Sequence, residues 1–303
     1  MESATVWLVT IGVLSLVVAF DLVLAILRRD KETTITESSI WTVIYVSAAI
    51  IFGILMPNWV DSPTARPEFF AGWLTEYALS VDNIFVFVII LARLKIDSKK
   101  QQLVLLLGII IALLLRGGFI AAGSALISRF HGVFFIFGAF LVFTAVQLIR
   151  ESGNDEEVKD SRVENYLKSK GASTFAIALV SLGVTDVVFA LDSIPAIFGI
   201  TQDPYIVASA NIFALMGLRQ LYFLLQGLIA RLVFLSYGLS AILGFIGLKM
   251  ILEAFHAVGI HGAAGIEIPH VPLAVSLGFI VTALTITTVA SLTATRKDGS
   301  EII

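Results

Sequence analysis

Long apolar runs recur from one end of this 303-residue chain to the other. A helix of about 20 apolar residues crosses the roughly 30 Å hydrocarbon core of a bilayer. The chain is 58% hydrophobic and only 14% charged, whereas soluble globular domains carry about 25% charged residues. The pattern excludes an ordinary soluble enzyme and a disordered chain, and it predicts an all-α membrane protein.

Nine segments are long and apolar enough to be predicted transmembrane helices. They cover residues 5–27, 40–56, 69–94, 103–127, 133–149, 174–200, 205–229, 232–255 and 271–294. The connections are too short for a separate soluble domain, so residues 1–303 are predicted to form a single polytopic membrane domain. The longest connection, residues 150–173, is charged and is predicted to be a cytoplasmic loop.

The distribution of basic residues predicts the orientation of the chain. If successive connections are assigned to alternate sides of the membrane, one side carries two basic residues, Arg66 and Arg129. The basic residues of all other connections lie on the opposite side. Basic residues favour the cytoplasmic side of a membrane. The N-terminus is therefore expected outside and the C-terminus in the cytoplasm.

Four acidic residues lie inside the predicted spans, namely Glu76, Asp82, Asp186 and Asp192. Each is expected to cost about 2.5 to 3.5 kcal/mol in the centre of a membrane helix unless something pairs with it. The third span reads EYALSVDNI and the sixth reads DVVFALDSI, so both contain an acid, five residues, Asp, a small polar residue and Ile. This similarity indicates an internal repeat.

The neighbouring helices extend the repeat. Gly108 precedes Arg116 by the same spacing at which Asn211 precedes Arg219, and FTAVQLI around Gln147 loosely matches FIGLKMI. Residues 69–149 are therefore predicted to form repeat A and residues 174–255 repeat B. Because each repeat has three helices, the second copy enters the membrane from the opposite side, as in many secondary transporters.

The remaining predicted spans, 5–27, 40–56 and 271–294, are expected to be peripheral. The acids of one repeat are about 120° apart on a straight helix, so either the acid pairs form two separate layers or the helices break beside the second Asp. Pro195 is expected to supply such a break in the sixth span, beside Asp192. Gly117, Gly118 and Gly123 are expected to allow close helix packing.

The intramembrane polar residues predict a midplane cation site. The predicted ligands are Asp82, Asn83, Asp192 and Asn211, since carboxylate and amide oxygens suit hard divalent cations. With no cysteine in the chain, thiolate ligands are excluded. The predicted proton- or charge-coupling residues are Glu76, Asp186, Arg116 and Arg219. The predicted supporting residues are Ser80, Ser193 and Lys249.

Three alternatives remain open at this point. The acids and arginines could be structural ties between helices with no ion involved. The chain could also be a non-transporting membrane scaffold for metalloprotein maturation or tellurite resistance. A calcium/proton exchanger would use the same oxygen ligands.

The segments EYALSVDNIFVF, DVVFALDSIPAIFGIT and NIFALMGLRQLYFLL resemble the signature segments of the TerC family of integral membrane proteins. The resemblance implies a LysE-like transporter architecture and a link to manganese efflux, with an older name derived from tellurium resistance. It implies a location in the bacterial inner membrane. Gln147 departs from the Lys expected in relatives.

The function predicted from residues and resemblance together is a secondary transporter that exports Mn²⁺, in exchange for protons, and not an enzyme. The expected partners are the divalent cation and the lipid bilayer. No prosthetic group and no nucleic-acid partner are expected, and the sequence leaves the oligomeric state open.

Overall fold

The protein is described by a computed structural model. The described residues are 4–27, 34–130, 132–151, 162–225, 233–260, 262–263 and 266–298. Within these ranges the chain is almost entirely α-helical, as the sequence predicts, and the only strands are two of two residues each. His261 and residues 152–161 of the charged connection lie outside the described residues.

Eleven α-helices are present in the described ranges. They are α1 (Ala4–Leu27), α2 (Ile35–Leu55), α3 (Ala65–Arg93), α4 (Ser98–Arg129), α5 (Val133–Glu151), α6 (Arg162–Ser169), α7 (Thr174–Phe198), α8 (Pro204–Met216), α9 (Leu218–Leu225), α10 (Leu235–Ala257) and α11 (Leu273–Asp298). A 3-10 turn, Met56–Asn58, follows α2. The strands β1 (Gly262–Ala263) and β2 (Ile266–Glu267) pair antiparallel.

Side-chain caps explain where several of these helices begin. The Oγ1 atom of Thr34 accepts a hydrogen bond from the backbone N–H of Glu37 at 3.2 Å, at the start of α2. Asp203 caps α8, and its side chain accepts hydrogen bonds from the backbone N–H groups of Tyr205 and Ile206. Pro204 follows at the first helical position. Such caps satisfy backbone donors that the first turn of a helix leaves unpaired.

Seven helices of the described part are long and apolar enough to cross a membrane: α1, α2, α4, α5, α7, α10 and α11. The helix α3 has 29 residues, about 43 Å at 1.5 Å per residue. The seventh predicted span is divided at Gly217 into the short helices α8 and α9. The count of nine spans remains a prediction.

The predicted break beside Asp192 was wrong. Pro195 lies within α7, whose helix is continuous from Thr174 to Phe198. Proline removes one backbone donor, and transmembrane helices tolerate this when neighbouring groups satisfy the freed carbonyl. The interruption lies instead at Gly217, in the second helix of predicted repeat B.

Helices of the two predicted repeats are intermixed. In the described part, α3 packs against α8, and α4 packs against α7. The third helices of the two repeats, α5 and α10, form the most extensive contact between any two elements, and α3 also touches α7. Neither predicted repeat is therefore a separate bundle.

The glycines divide into packed and open positions. A Cβ atom on Gly138 of α5 would lie 2.7 Å from the carbonyl oxygen of Gly247 on α10, and one on Gly247 would lie 2.8 Å from that of Gly138. A Cβ on Gly123 would meet the Phe198 ring at 2.9 Å, as the close-packing prediction requires. Gly117 and Gly118 have nothing within 4 Å, so that prediction was wrong for these two positions.

Candidate functional site

A buried ion cluster joins three helices near their middles. Arg116 of α4 binds Glu76 of α3 through Nη1. It also binds Asp186 of α7 in a bidentate manner, with Nε donating to Oδ2 at 3.1 Å and Nη2 donating to Oδ1 at 2.9 Å. Arg116 and Glu76 are 0% exposed, and Asp186 is 1% exposed.

Ser193 completes the contacts of this arginine. Arg116 Nη1 donates to the hydroxyl oxygen of Ser193 at 3.3 Å. Ser193 follows Asp186 by two helical turns on α7, so both side chains lie on the same face of that helix. The single buried guanidinium is thus shared by an acid from each predicted repeat.

The charge of this cluster is not balanced. One guanidinium faces two carboxylates, so the three side chains carry a formal charge of minus one when both acids are ionised. An uncompensated charge in a membrane interior is costly. A proton or a bound cation nearby would restore neutrality.

A stripe of polar side chains continues from the cluster along α3. Glu76, Ser80 and Asn83 are spaced by four and three residues, which places them on one helix face. All three are buried, and Glu76 Oε2, Ser80 Oγ and Asn83 Nδ2 have no hydrogen-bond partner within the described ranges. Buried polar atoms without partners are uncommon and mark places where water or an ion is expected.

The structure places the predicted metal ligands unevenly. Asn83 of α3 and Asn211 of α8 are buried, and the Nδ2 atom of each has no hydrogen-bond partner. Asp192 of α7 is half-buried. Asp82 belongs to α3 and Arg219 to α9, but their side chains lie outside the described part of the chain.

Metal ligation itself stays a prediction. Among the described residues, no three His, Cys, Asp or Glu side chains are grouped closely enough to hold a metal ion.

Lys249 lies away from the ion cluster. Its Nζ donates to the carbonyl oxygen of Gly199 at 3.0 Å and pairs with Glu253, one turn further along α10, at 3.4 Å. Gly199 is the residue that ends α7. In the described contacts, Lys249 ties α10 to the end of α7 and does not touch Arg116, Glu76 or Asp186.

The match to a known family covers most of the chain. Residues 61–299 match the integral membrane protein TerC family. The chain belongs to the TerC family. No solved structure matches it.

Several bacterial proteins are similar to this TerC chain over most of its length. The uncharacterized membrane protein Rv2723 of Mycobacterium tuberculosis is 40% identical, across 97% of this chain and 80% of that protein. Proteins named as the membrane-bound redox modulator Alx are 31% identical in Photorhabdus laumondii, across 95% of this chain and 94% of that protein, and 32% identical in Escherichia coli, across 91% and 90%.

Sequence reasoning missed two polar features of this TerC protein. Thr75 is fully buried, and its Oγ1 atom has no hydrogen-bond partner. Glu68, in the first turn of α3, accepts a hydrogen bond from Thr201 at 2.5 Å, which ties that end of α3 to the segment between α7 and α8. The first was detectable as a polar residue inside an apolar span, whereas the second depends on a tertiary contact.

Proposed function

We propose that this TerC protein is a secondary transporter that exports Mn²⁺ across the bacterial inner membrane in exchange for protons. The observation that carries the proposal is the buried cluster in which Arg116 joins Glu76 and Asp186. Intramembrane ionisable side chains that face the interior of a bundle are typical of ion and proton pathways. Here they connect the two predicted repeats.

The helix contacts support the inverted repeat on which alternating access depends. Exchanging the repeats interchanges α3 with α7, α4 with α8 and α5 with α10. The same exchange carries the contact between α3 and α8 onto the contact between α7 and α4, and both contacts are present. The contacts of α5 with α10 and of α3 with α7 map onto themselves, as expected for helices beside a twofold axis.

Individual residues support the same exchange. In the alignment of FTAVQLI with FIGLKMI, Ala145 corresponds to Gly247. In the same register, Gly138 corresponds to Ser240. The close approach of Gly138 to Gly247 should then have a counterpart between Ser240 and Ala145. Ser240 Oγ donates to the carbonyl oxygen of Ala145 at 2.6 Å.

Within this proposal, the cluster balances charge during the transport cycle. Glu76 uses one carboxylate oxygen for Arg116, while its buried Oε2 has no hydrogen-bond partner among the described residues. That oxygen is where a proton would bind when the cation leaves. Asp186 uses both oxygens for Arg116, so it would hold the arginine in place.

The proposed cation ligands are Asp82, Asn83, Asp192 and Asn211, with Ser80 close by on the polar face of α3. Carboxylate and amide oxygens suit Mn²⁺ and other hard or intermediate divalent ions. Asn83 and Asn211 fit the assignment because both amides are buried and each carries a side-chain carbonyl oxygen that can bind a cation. Arg219 is proposed as the repeat B counterpart of Arg116.

A flux measurement tests the proposal. Purified protein in liposomes that contain a Mn²⁺-sensitive dye should move Mn²⁺ when a proton gradient is imposed. Asp82→Asn and Asp192→Asn should each abolish this flux, because the amide removes the charge that binds the cation. Asp61→Asn is the matched control, since Asp61 is exposed outside the helices, and its flux should equal that of the parent. Unchanged flux in both intramembrane variants would rule out the proposal.

A second function is favoured by the relatives named as membrane-bound redox modulators. The chain has no cysteine, so it lacks thiol redox chemistry of its own. A scaffold for partner proteins would act without metal flux, and liposomes that remain impermeable to Mn²⁺ under every gradient would favour it. Replacing Mn²⁺ with Ca²⁺ in the same liposomes distinguishes a calcium/proton exchanger.

A further inference from the structure

A large apolar groove lies between α1, α4 and α8. Its volume is about 920 Å³, and it is open on one side. Its walls are mostly aliphatic side chains and small residues of three helices, with Asn211 of α8 among the lining residues. In a membrane-spanning chain the surroundings of such a groove are lipid, not water.

The groove runs along the helices for more than the depth of one leaflet. Its α1 wall extends from Trp7 to Leu22, which is about 22 Å at 1.5 Å per residue. One leaflet contributes about 15 Å of hydrocarbon. The groove can therefore accommodate an extended acyl chain over its full depth.

One end of the groove has residue types that are typical of the membrane surface. Trp7 and Pro204 line this end, and the Trp7 ring contacts the Tyr205 ring with centroids 5.2 Å apart. Tryptophan and tyrosine favour the interface between hydrocarbon and headgroups. The helix α4 also ends on this side, because Gly123 packs against Phe198 at the last residue of α7.

A cation is positioned at the same end. Gly117, Ala121 and Ala125 of α4 line the groove at four-residue spacing, and Arg129 follows at the same spacing in the last turn. Residues four apart lie on one face of a helix. Arg129 is exposed. Arg129 therefore lies one helical turn beyond Ala125, at the end of the groove where the headgroup of a bound lipid would lie.

The groove has space for an occupant beside α4, and a buried amide of α8 lines it. A Cβ atom on Gly117 would meet nothing within 4 Å, so the space beside this glycine is empty of protein. Asn211 is 1% exposed and lines the groove, and its Nδ2 atom has no hydrogen-bond partner in the part of the chain that the structure describes. An occupant of the groove would cover this amide and separate it from the surrounding bilayer.

We infer that this groove binds one anionic phospholipid, with an acyl chain along Gly117, Ala121 and Ala125 and the phosphate on Arg129. The site differs from the Arg116 cluster in position and in ligand, and it shares Asn211 with the proposed cation ligands. Lipid binding in the groove can be measured without Mn²⁺. A lipid is favoured over a second copy of the chain because an aliphatic channel with a cation at its surface end matches the two parts of an anionic lipid.

Native mass spectrometry of the detergent-purified full chain tests this inference, with phosphatidylglycerol and phosphatidylethanolamine as probes. The parent should retain one phosphatidylglycerol in preference to phosphatidylethanolamine. Gly117→Leu and Ala121→Phe should each lose this first lipid, because their side chains fill the groove. Arg129→Gln should still bind lipid, but its preference for phosphatidylglycerol should fall about fivefold, the contribution of one basic residue at an anionic surface.

Two matched controls separate this site from general effects of the substitutions. Gly278→Leu places the same side chain on an exposed glycine of α11 that also has nothing within 4 Å. Arg66→Gln removes the other basic residue expected on that side of the membrane. Both controls should bind phosphatidylglycerol like the parent. Equal loss in Gly117→Leu and Gly278→Leu, no lipid preference in the parent, or a second chain retained in place of lipid would overturn the inference.

Discussion

The interface between α5 and α10 and the edge formed by α1 are packed in opposite ways. At the first, Gly138 and Gly247 bring two backbones so close that neither position has room for a Cβ atom. At the second, grooves of about 920 and 430 Å³ lie along α1, and Gly12 has nothing within 4 Å. Helix association in lipid depends on close packing and polar contacts, so the core of the protein lies where helices of the two predicted repeats meet.

The largest effect is expected where the repeats share a charge. Arg116→Met should destabilise the protein by about 3 to 5 kcal/mol, because it leaves Glu76 and Asp186 buried without a cation. Thermal unfolding in detergent measures this effect. Arg129→Met, the same change at an exposed arginine, should leave the unfolding temperature close to that of the parent. Similar curves for both variants would mean that the cluster does not stabilise the junction.

The next effect concerns the contact between the third helices. Gly138→Ala should cost about 1 to 3 kcal/mol, since its Cβ would lie 2.7 Å from the carbonyl oxygen of Gly247 and 2.7 Å from Ile251 Cγ1. Gly118→Ala on α4 is the control, because its Cβ meets no atom within 4 Å. If the two substitutions change the unfolding temperature equally, the α5–α10 interface would not be more tightly packed than the open positions near α1.

A smaller effect is expected at the proposed counterpart of that contact. Ser240→Ala removes the hydrogen bond to the Ala145 carbonyl and should cost about 0.6 kcal/mol, the average for such bonds between membrane helices. Ser39→Ala removes a hydrogen bond within α2 only, to Ile35, and should have less effect. Equilibrium unfolding in mixed detergent resolves the difference, and a larger loss in the Ser39 variant would contradict the assignment.

The smallest loss of stability is expected on α1. Gly12→Ala introduces a Cβ with no neighbour within 4 Å and replaces a poor helix former. It should leave stability unchanged or raise it by at most about 1 kcal/mol. Clear destabilisation in the same unfolding assay would show that α1 packs more tightly than its grooves indicate.

The sequence predicted the helical class and the importance of the intramembrane charges, because both follow from local composition. Apolar length predicts helices in lipid, and Glu76, Arg116 and Asp186 stand out as costly residues inside them. Which arginine would hold which acid was not predictable. That pairing depends on how α4 lies between α3 and α7.

Features that depend on tertiary packing were predicted poorly. Pro195 was expected to break α7, yet the helix continues, and the interruption occurs at Gly217. Gly117 and Gly118 look like packing residues in the sequence, but a Cβ on either would meet nothing within 4 Å, and Gly117 lines the groove between α1, α4 and α8. A stripe of small residues does not by itself indicate whether a helix covers it.

The central claim is that the junction of the two repeats holds a divalent cation. A Mn²⁺-soaked crystal of the protein, with anomalous scattering recorded near the manganese edge, tests it most directly. The account predicts a single intramembrane peak between α3 and α7, with Asp82 and Asp192 as its carboxylate ligands. A map with no peak inside the membrane, or with a peak only outside it, would contradict the account.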